Sequence, residues 1–117
     1  MSTLLLGATA DDSAKPIQMA SNMLTRHGLI SGATGTGKTI TLQVLAEQLA
    51  LEGITVLACD VKGDLAGLSE PGTPHAKISE RVQHIGIDEF YQVSFPTIFW
   101  DLFGQRGHPV RTTVTEM

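Results

Sequence analysis

An α/β fold on a mostly parallel sheet is predicted by three consecutive features of the sequence. First, a short apolar stretch, Leu29-Ile30, runs into the glycine-rich segment Gly32-Ala33-Thr34-Gly35-Thr36-Gly37-Lys38-Thr39. Second, from Lys38 to Glu52, Leu42, Leu45, Ala46 and Leu49 recur at i, i+3, i+4 and i+7, and Ile40, Val44 and Leu51 make the opposite flank apolar. That pattern predicts a mostly buried helix. Third, after Gly53, where a left-handed helix end is favoured, Ile54-Thr55-Val56-Leu57-Ala58-Cys59-Asp60 is a continuously apolar run ending in an acid. Such runs suit strands buried on both faces, and strand, loop, helix and strand in that order form a right-handed βαβ unit.

The remaining elements follow in chain order. Thr3 to Gly7 predicts a short strand, and Asp11-Asp12-Ser13 supply turn formers in the polar loop from Ala8 to Lys15. Pro16 closes that loop, and Ile17-Gln18-Met19 alternates as a second short strand. Ala20 to Arg26 suits a turn or two of helix before the strand expected at His27 to Ser31. Beyond Asp60, Val61-Lys62-Gly63-Asp64 reads as a tight turn, Leu65 to Leu68 as one short turn, and Ser69 to Pro74 as breakers. Ile78, Val82 and Ile85 keep helical spacing in a helix placed at Pro74 to Gln83. Thr97 to Leu102 predicts another strand, and Gly104 and Gly107 bracket a turn. Thr113-x-x-Glu116 is a capping-box pattern one residue before the last, so residues 1–117 are expected to be the N-terminal part of a single larger domain.

The chemistry sits in residues 32–39, which spell G-x-x-x-x-G-K-T, the phosphate-binding loop of P-loop NTPases. A triphosphate must be held by groups that neutralise several charges without a bulky side chain blocking the backbone. Gly32, Gly35 and Gly37 allow consecutive N–H groups to curl around an anion, in a concave cradle to which Ala33, Thr34, Thr36 and Ile40 also belong. The helix starting near Lys38 adds its positive dipole end. Lys38 is the catalytic cation for the β- and γ-phosphates, and the Thr39 hydroxyl is the expected ligand of Mg²⁺, with ATP as the nucleotide. A dinucleotide loop fits worse. It requires glycine where Lys38 or Ile40 stands, and neither side chain permits the close helix-strand packing of that motif.

Asp60 ends its strand in the crevice where α/β proteins bind ligands, which opens three roles: a metal contact, a helper in the crevice, or a cap of the next turn. In P-loop folds the strand after the phosphate-loop helix is usually not the neighbour of the strand before it, which argues against direct metal contact. Lys62 and Asp64 flank Gly63 as further accessory candidates beside a solvated-turn reading. Asp88-Glu89 has too short an apolar lead-in for a catalytic acid pair and reads as a turn. His27, His75, His84 and His108 lack metal-ligand spacing. Phe95, Phe99, Trp100 and Phe103 are expected in the core rather than as a stacking platform.

Composition sets bounds. With 42% hydrophobic and 17% charged residues, the 117-residue chain is globular material, not disordered. No apolar run approaches the roughly 20 residues of a membrane span, so no membrane partner and a cytoplasmic location are expected. Cys59, the single cysteine, is expected to pack in its strand. The net charge of −4 provides no broad footprint for nucleic acid.

His27-Gly-Leu-Ile-Ser-Gly-Ala-Thr-Gly-Thr-Gly-Lys-Thr39, together with the acid-x-basic-Gly-acid turn Asp60-Val-Lys-Gly-Asp64, resembles the HerA-like branch of the HerA/FtsK ATPases. The likeness is greatest to the bacterial YjgR-type members, and it extends to Phe99-Trp-Asp-Leu-Phe103 and Gly107-His-Pro-Val-Arg111. It implies a RecA-like, three-layer αβα core that hydrolyses ATP, commonly in homo-hexameric rings, with DNA-translocating relatives. HerA proper carries a β-barrel ahead of its ATPase, whereas 26 residues precede His27 here. The acid pair that activates water and the trans-acting arginine are expected beyond Met117, so this segment alone binds nucleotide without a full cycle. Two other functions fit the loop. A P-loop small-molecule kinase or transferase predicts a basic lid downstream, and a non-hydrolysing nucleotide-sensing module predicts affinity without turnover.

Overall fold

In the computed structural model, residues 2–87, 90 and 92–111 are described. The N-terminal third is a hairpin. Strands β1 (Thr3–Ala8) and β2 (Pro16–Ala20) pair antiparallel from Thr3 opposite Ala20 to Ala8 opposite Pro16, and a register shift between Leu5 and Gly7 sets Leu6 outside the ladder. Their connection is held by Asp11, whose carboxylate accepts hydrogen bonds from Thr9 Oγ1 and Ser13 Oγ, both at 2.6 Å. Those hydroxyls, Ser13 first, hold the Asp11 carboxyl below the ordinary carboxylate range. A 3-10 turn, Ser21–Thr25, leads out of the hairpin as the short helical turn predicted there.

Helix α1 (Lys38–Leu51) starts and stops as its sequence predicts. Gly53 takes φ 78° just past its end, and the Gly53 and Ile54 N–H groups bond back to the carbonyls of Ala50 and Leu49. The helix docks on the hairpin through Gln48. Its Oε1 accepts from Leu5 N–H at 2.7 Å and its Nε2 donates to Leu5 C=O at 2.8 Å, which satisfies the backbone next to the bulge. Gln48→Leu leaves both part-buried backbone groups without partners. Chemical denaturation of the variant is expected to show a loss of about 1–3 kcal/mol.

Helix α2 (Ala76–Ile85) begins where His75 Nδ1 accepts from Lys77 N–H at 3.2 Å and ends at Gly86 with φ 77°. Its half-buried residues Val82 and Ile85 lie three apart on one face, and both helices pack against β1. Between the helices, Leu65–Leu68 forms the expected short turn, as a 3-10 helix over Ala66–Ser69. Strands β3 (Trp100–Asp101) and β4 (His108–Pro109) pair in parallel over two residues each. Asp101 closes their loop by accepting from the N–H groups of Phe103, Gln105 and Arg106 at 2.9–3.1 Å.

The α/β class is present with short sheets and two helices, and the buried core among the described residues is Leu4. The surface area is 9939 Å², against about 6,200 Å² for a compact monomer of this mass. The radius of gyration is 16.3 Å, against about 13 Å. The excess has a local origin. His27–Ser31 and Ile54–Asp60, expected as strands of the βαβ unit, run without ladder partners, and Leu29 and Leu57 are 89% and 88% exposed. A parallel strand needs neighbours that are distant in sequence. Among the described residues the sheets are the β1–β2 and β3–β4 pairs, and neither run joins them.

The other expectations of burial change for the same reason. Cys59 is exposed rather than packed, because its run has no covered face. Helix α1 is half-buried rather than mostly buried, with Ile40, Leu42 and Leu51 exposed. Phe99, Trp100 and Phe103 lie on the surface, since the Thr97–Leu102 strand shortens to two residues. Phe95 alone of that group is half-buried, next to Leu68, whose carbonyl accepts from Phe95 N–H at 2.9 Å. Asp88-Glu89 and Thr113-x-x-Glu116 lie outside the described residues. Among the described residues no helix is long and apolar enough to cross a membrane.

Candidate functional site

Residues 32–37 curl into a turn that ends in α1, and glycine is required at three places for different reasons. Gly35 and Gly37 adopt φ 80° and 94°, a region that side chains with a Cβ disfavour. At Gly32 a Cβ would lie 2.5 Å from Thr36 Oγ1, so a side chain there displaces the hydroxyl from its bond to Ala33 C=O. Thr36 fixes that closure. Its N–H and its hydroxyl both donate to Ala33 C=O, at 3.3 and 2.6 Å.

Gly37 is the N-cap of α1, and no side chain caps the helix. Among the described residues, the N–H groups of Lys38, Thr39 and Ile40 have no acceptor, and no acidic side chain stands in the first turn. Donors and dipole thus present an uncompensated positive end at the surface, where Gly32 to Thr36 are exposed and Gly37 to Thr39 half-buried.

Lys38 folds over the loop rather than outward, and Nζ donates to Ala33 C=O at 2.8 Å. The ammonium is therefore already inside the curl. A charge-assisted bond to a phosphoryl oxygen is stronger than one to a neutral carbonyl, so an anion in the curl draws Nζ across without unfolding the loop. The three threonines differ too. Thr36 and Thr41 donate to carbonyls, Thr41 to Gly37 at 3.1 Å, whereas the Thr39 hydroxyl makes no hydrogen bond among the described residues. A free hydroxyl beside an anion nest fits the oxygen-donor demand of a phosphate-bound divalent cation. Two shallow depressions, of about 220 and 400 Å³, lie elsewhere, next to His75 and Phe90 and next to Phe99 and Arg106.

In the turn after Ile54–Asp60, Asp60 makes the contacts of a cap. Its Oδ1 accepts from Lys62 N–H at 3.1 Å and its Oδ2 from Leu65 N–H at 2.9 Å, so both oxygens serve as a cap of the turn. The Leu65 bond, then those of Gly63 and Lys62, hold its carboxyl below the ordinary range. Lys62 and Asp64 are exposed, and their side chains make no hydrogen bonds among the described residues. The Asp64 backbone does, because its C=O accepts from Gln43 Nε2 of α1 at 3.0 Å. Sequence reasoning missed Gln43: its place four residues after Thr39, on the same helix face, is legible, but its partner at Asp64 is not.

Asp60 and Asp101 give the fold a definite acid response. Both have a depressed folded-state pKa, Asp101 chiefly through Phe103 N–H and then Arg106 and Gln105 N–H. Their contribution is fully present above the unfolded carboxylate pKa and is lost as pH falls through the folded value. Asp101→Asn is expected to flatten the acid limb of a thermal-melt series below the ordinary carboxylate pKa, where the folded-state and unfolded-state values differ. An unchanged slope shows that the Asp101 cap does not drive it.

The family described as Helicase HerA-like C-terminal matches residues 6–117, which takes in the end of β1, all of β2, the curl, both helices and the Asp101 loop. No curated protein and no solved structure matches the chain. Since the match covers nearly all of the sequence, the chain belongs to the helicase HerA-like C-terminal family.

Proposed function

We propose that residues 32–40 bind the β- and γ-phosphates of ATP and that the complete protein is a motor ATPase. The observation that carries this reading is the curl itself: left-handed Gly35 and Gly37, three unpartnered N–H groups at a helix start, and an ammonium held within the loop. In this reading Lys38 and the N–H groups stabilise charge on the phosphoryl oxygens. The Thr39 hydroxyl holds Mg²⁺, which supplies neutralisation of β- and γ-oxygen charge when bound. Asp60 acts through the shape of its turn, which its two oxygens hold by accepting from Lys62 and Leu65 N–H. Family membership supports ATP hydrolysis, and in this reading the motor is a homo-hexameric ring with a P-loop, RecA-like core that works on DNA in the cytoplasm.

Calorimetric titration of this chain with ATP and Mg²⁺ tests the reading. Binding that inorganic tripolyphosphate competes away, and that adenosine does not, is the expected result, because recognition is built on phosphate. Absence of binding, or competition by adenosine alone, overturns it.

A further inference from the structure

We propose that Gln43 is a positioning residue, which ties the Asp60–Leu65 turn to the start of α1 so that anion capture by the loop is felt at that turn. This rests on the phosphate-loop reading above. Thr39 and Gln43 are one helical turn apart on one face. From that face the half-buried Gln43 reaches a carbonyl 21 residues away in sequence, that of Asp64, at 3.0 Å. The turn it holds is a unit of its own. Asp60 accepts from Lys62 and Leu65 N–H, Gly63 takes φ 83°, and Ala66 N–H bonds to Gly63 C=O at 3.3 Å. A rigid turn fastened to a rigid helix moves with it.

The consequence is directional. When the loop N–H groups and Lys38 take a phosphate, Lys38 leaves Ala33 C=O and the first turn of α1 tightens. The Gln43 amide carries that restraint to Asp64, which places Lys62 and Asp64, whose side chains are uncommitted among the described residues, at a fixed distance from the Thr39 side of the loop. Gln43 touches no phosphate in this scheme. It sets where the turn stands.

Hydrogen exchange across Lys62–Leu65, with and without saturating ATP and Mg²⁺, provides the test. In the wild-type chain the bound nucleotide is expected to slow exchange there about fivefold, the size of one neutral hydrogen bond. Gln43→Leu should erase that slowing while ATP affinity stays within about twofold, since one exposed neutral bond remote from the phosphate is lost. Gln43→Glu, which keeps the shape but cannot donate, should do the same if the leucine variant folds poorly. Gln43→Lys restores a donor of similar reach and should restore the slowing. ATP binding with no change at the turn, or slowing that persists in both Gln43→Leu and Gln43→Glu, overturns the tether alone. Failure of the wild-type chain to bind ATP overturns the phosphate-loop reading and the tether with it.

Discussion

Lys38→Ala is expected to weaken ATP binding in the presence of Mg²⁺ by about a hundredfold, the combined size of charge-assisted bonds to two phosphoryl groups. The protein should stay as stable as before, because the bond that Lys38 makes, to Ala33 C=O, is exposed and neutral on the acceptor side. Affinity and stability therefore separate, and calorimetry beside a thermal melt reads both. Lys38→Arg should recover little. The planar guanidinium is broader than the compact ammonium that the curl holds beside Ala33 C=O, so it cannot take the same place in the loop. A variant that binds ATP normally without its ammonium places the phosphates elsewhere, and the assignment of residues 32–39 fails.

How much of this was readable in the sequence depends on the range of each interaction. Helix α1, its start at Lys38 and its glycine exit at Gly53, were legible because capping and helical spacing are local. The same holds for the hairpin, whose two strands are joined by one short loop, and for α2, whose apolar residues fall four and then three apart. His27–Ser31 and Ile54–Asp60 were misjudged because composition announces a buried strand without naming its neighbour. The residues that tie the elements together were equally hidden. Gln48 meets Leu5 across 43 positions and Gln43 meets Asp64 across 21, and an amide in a helix carries no sign of its distant partner. Asp101 was read only as part of an apolar strand, yet three N–H groups converge on it, because a loop bracketed by glycines folds back on the nearest carboxylate. In the loop, the letters marked the left-handed glycines of the turn and the lysine that opens the helix. They did not show that Lys38 folds inward onto Ala33, which follows from the curl rather than from the motif.

Gly37→Ala is expected to produce the second large effect, and for a reason opposite to that of Lys38→Ala. No atom lies within 4 Å of the added methyl, so crowding cannot explain any loss. What alanine cannot do cheaply is hold φ 94° and ψ 18° as the N-cap of α1, a conformation that costs a residue with a Cβ about 1–2 kcal/mol. Relaxation to negative φ relieves that strain by rotating the peptide that carries the Lys38 N–H, which turns one of the three free donors out of the curl. Affinity for ATP should fall by about tenfold or more, with a stability loss no larger than the strain itself. Gly67→Ala, at a glycine with ordinary φ and equally open space, should leave binding unchanged. Gly32→Ala separates sterics from conformation. Its methyl meets Thr36 Oγ1 at 2.5 Å but Thr36 Cβ only at 3.5 Å, so the double variant Gly32→Ala/Thr36→Ala removes the clash. Recovery of binding in that double variant, set against no recovery when Thr36→Ala is added to Gly37→Ala, shows that the loop binds through the direction of its amides. Equal recovery in both pairs means that crowding alone limits the site, and the left-handed glycines lose their assigned role.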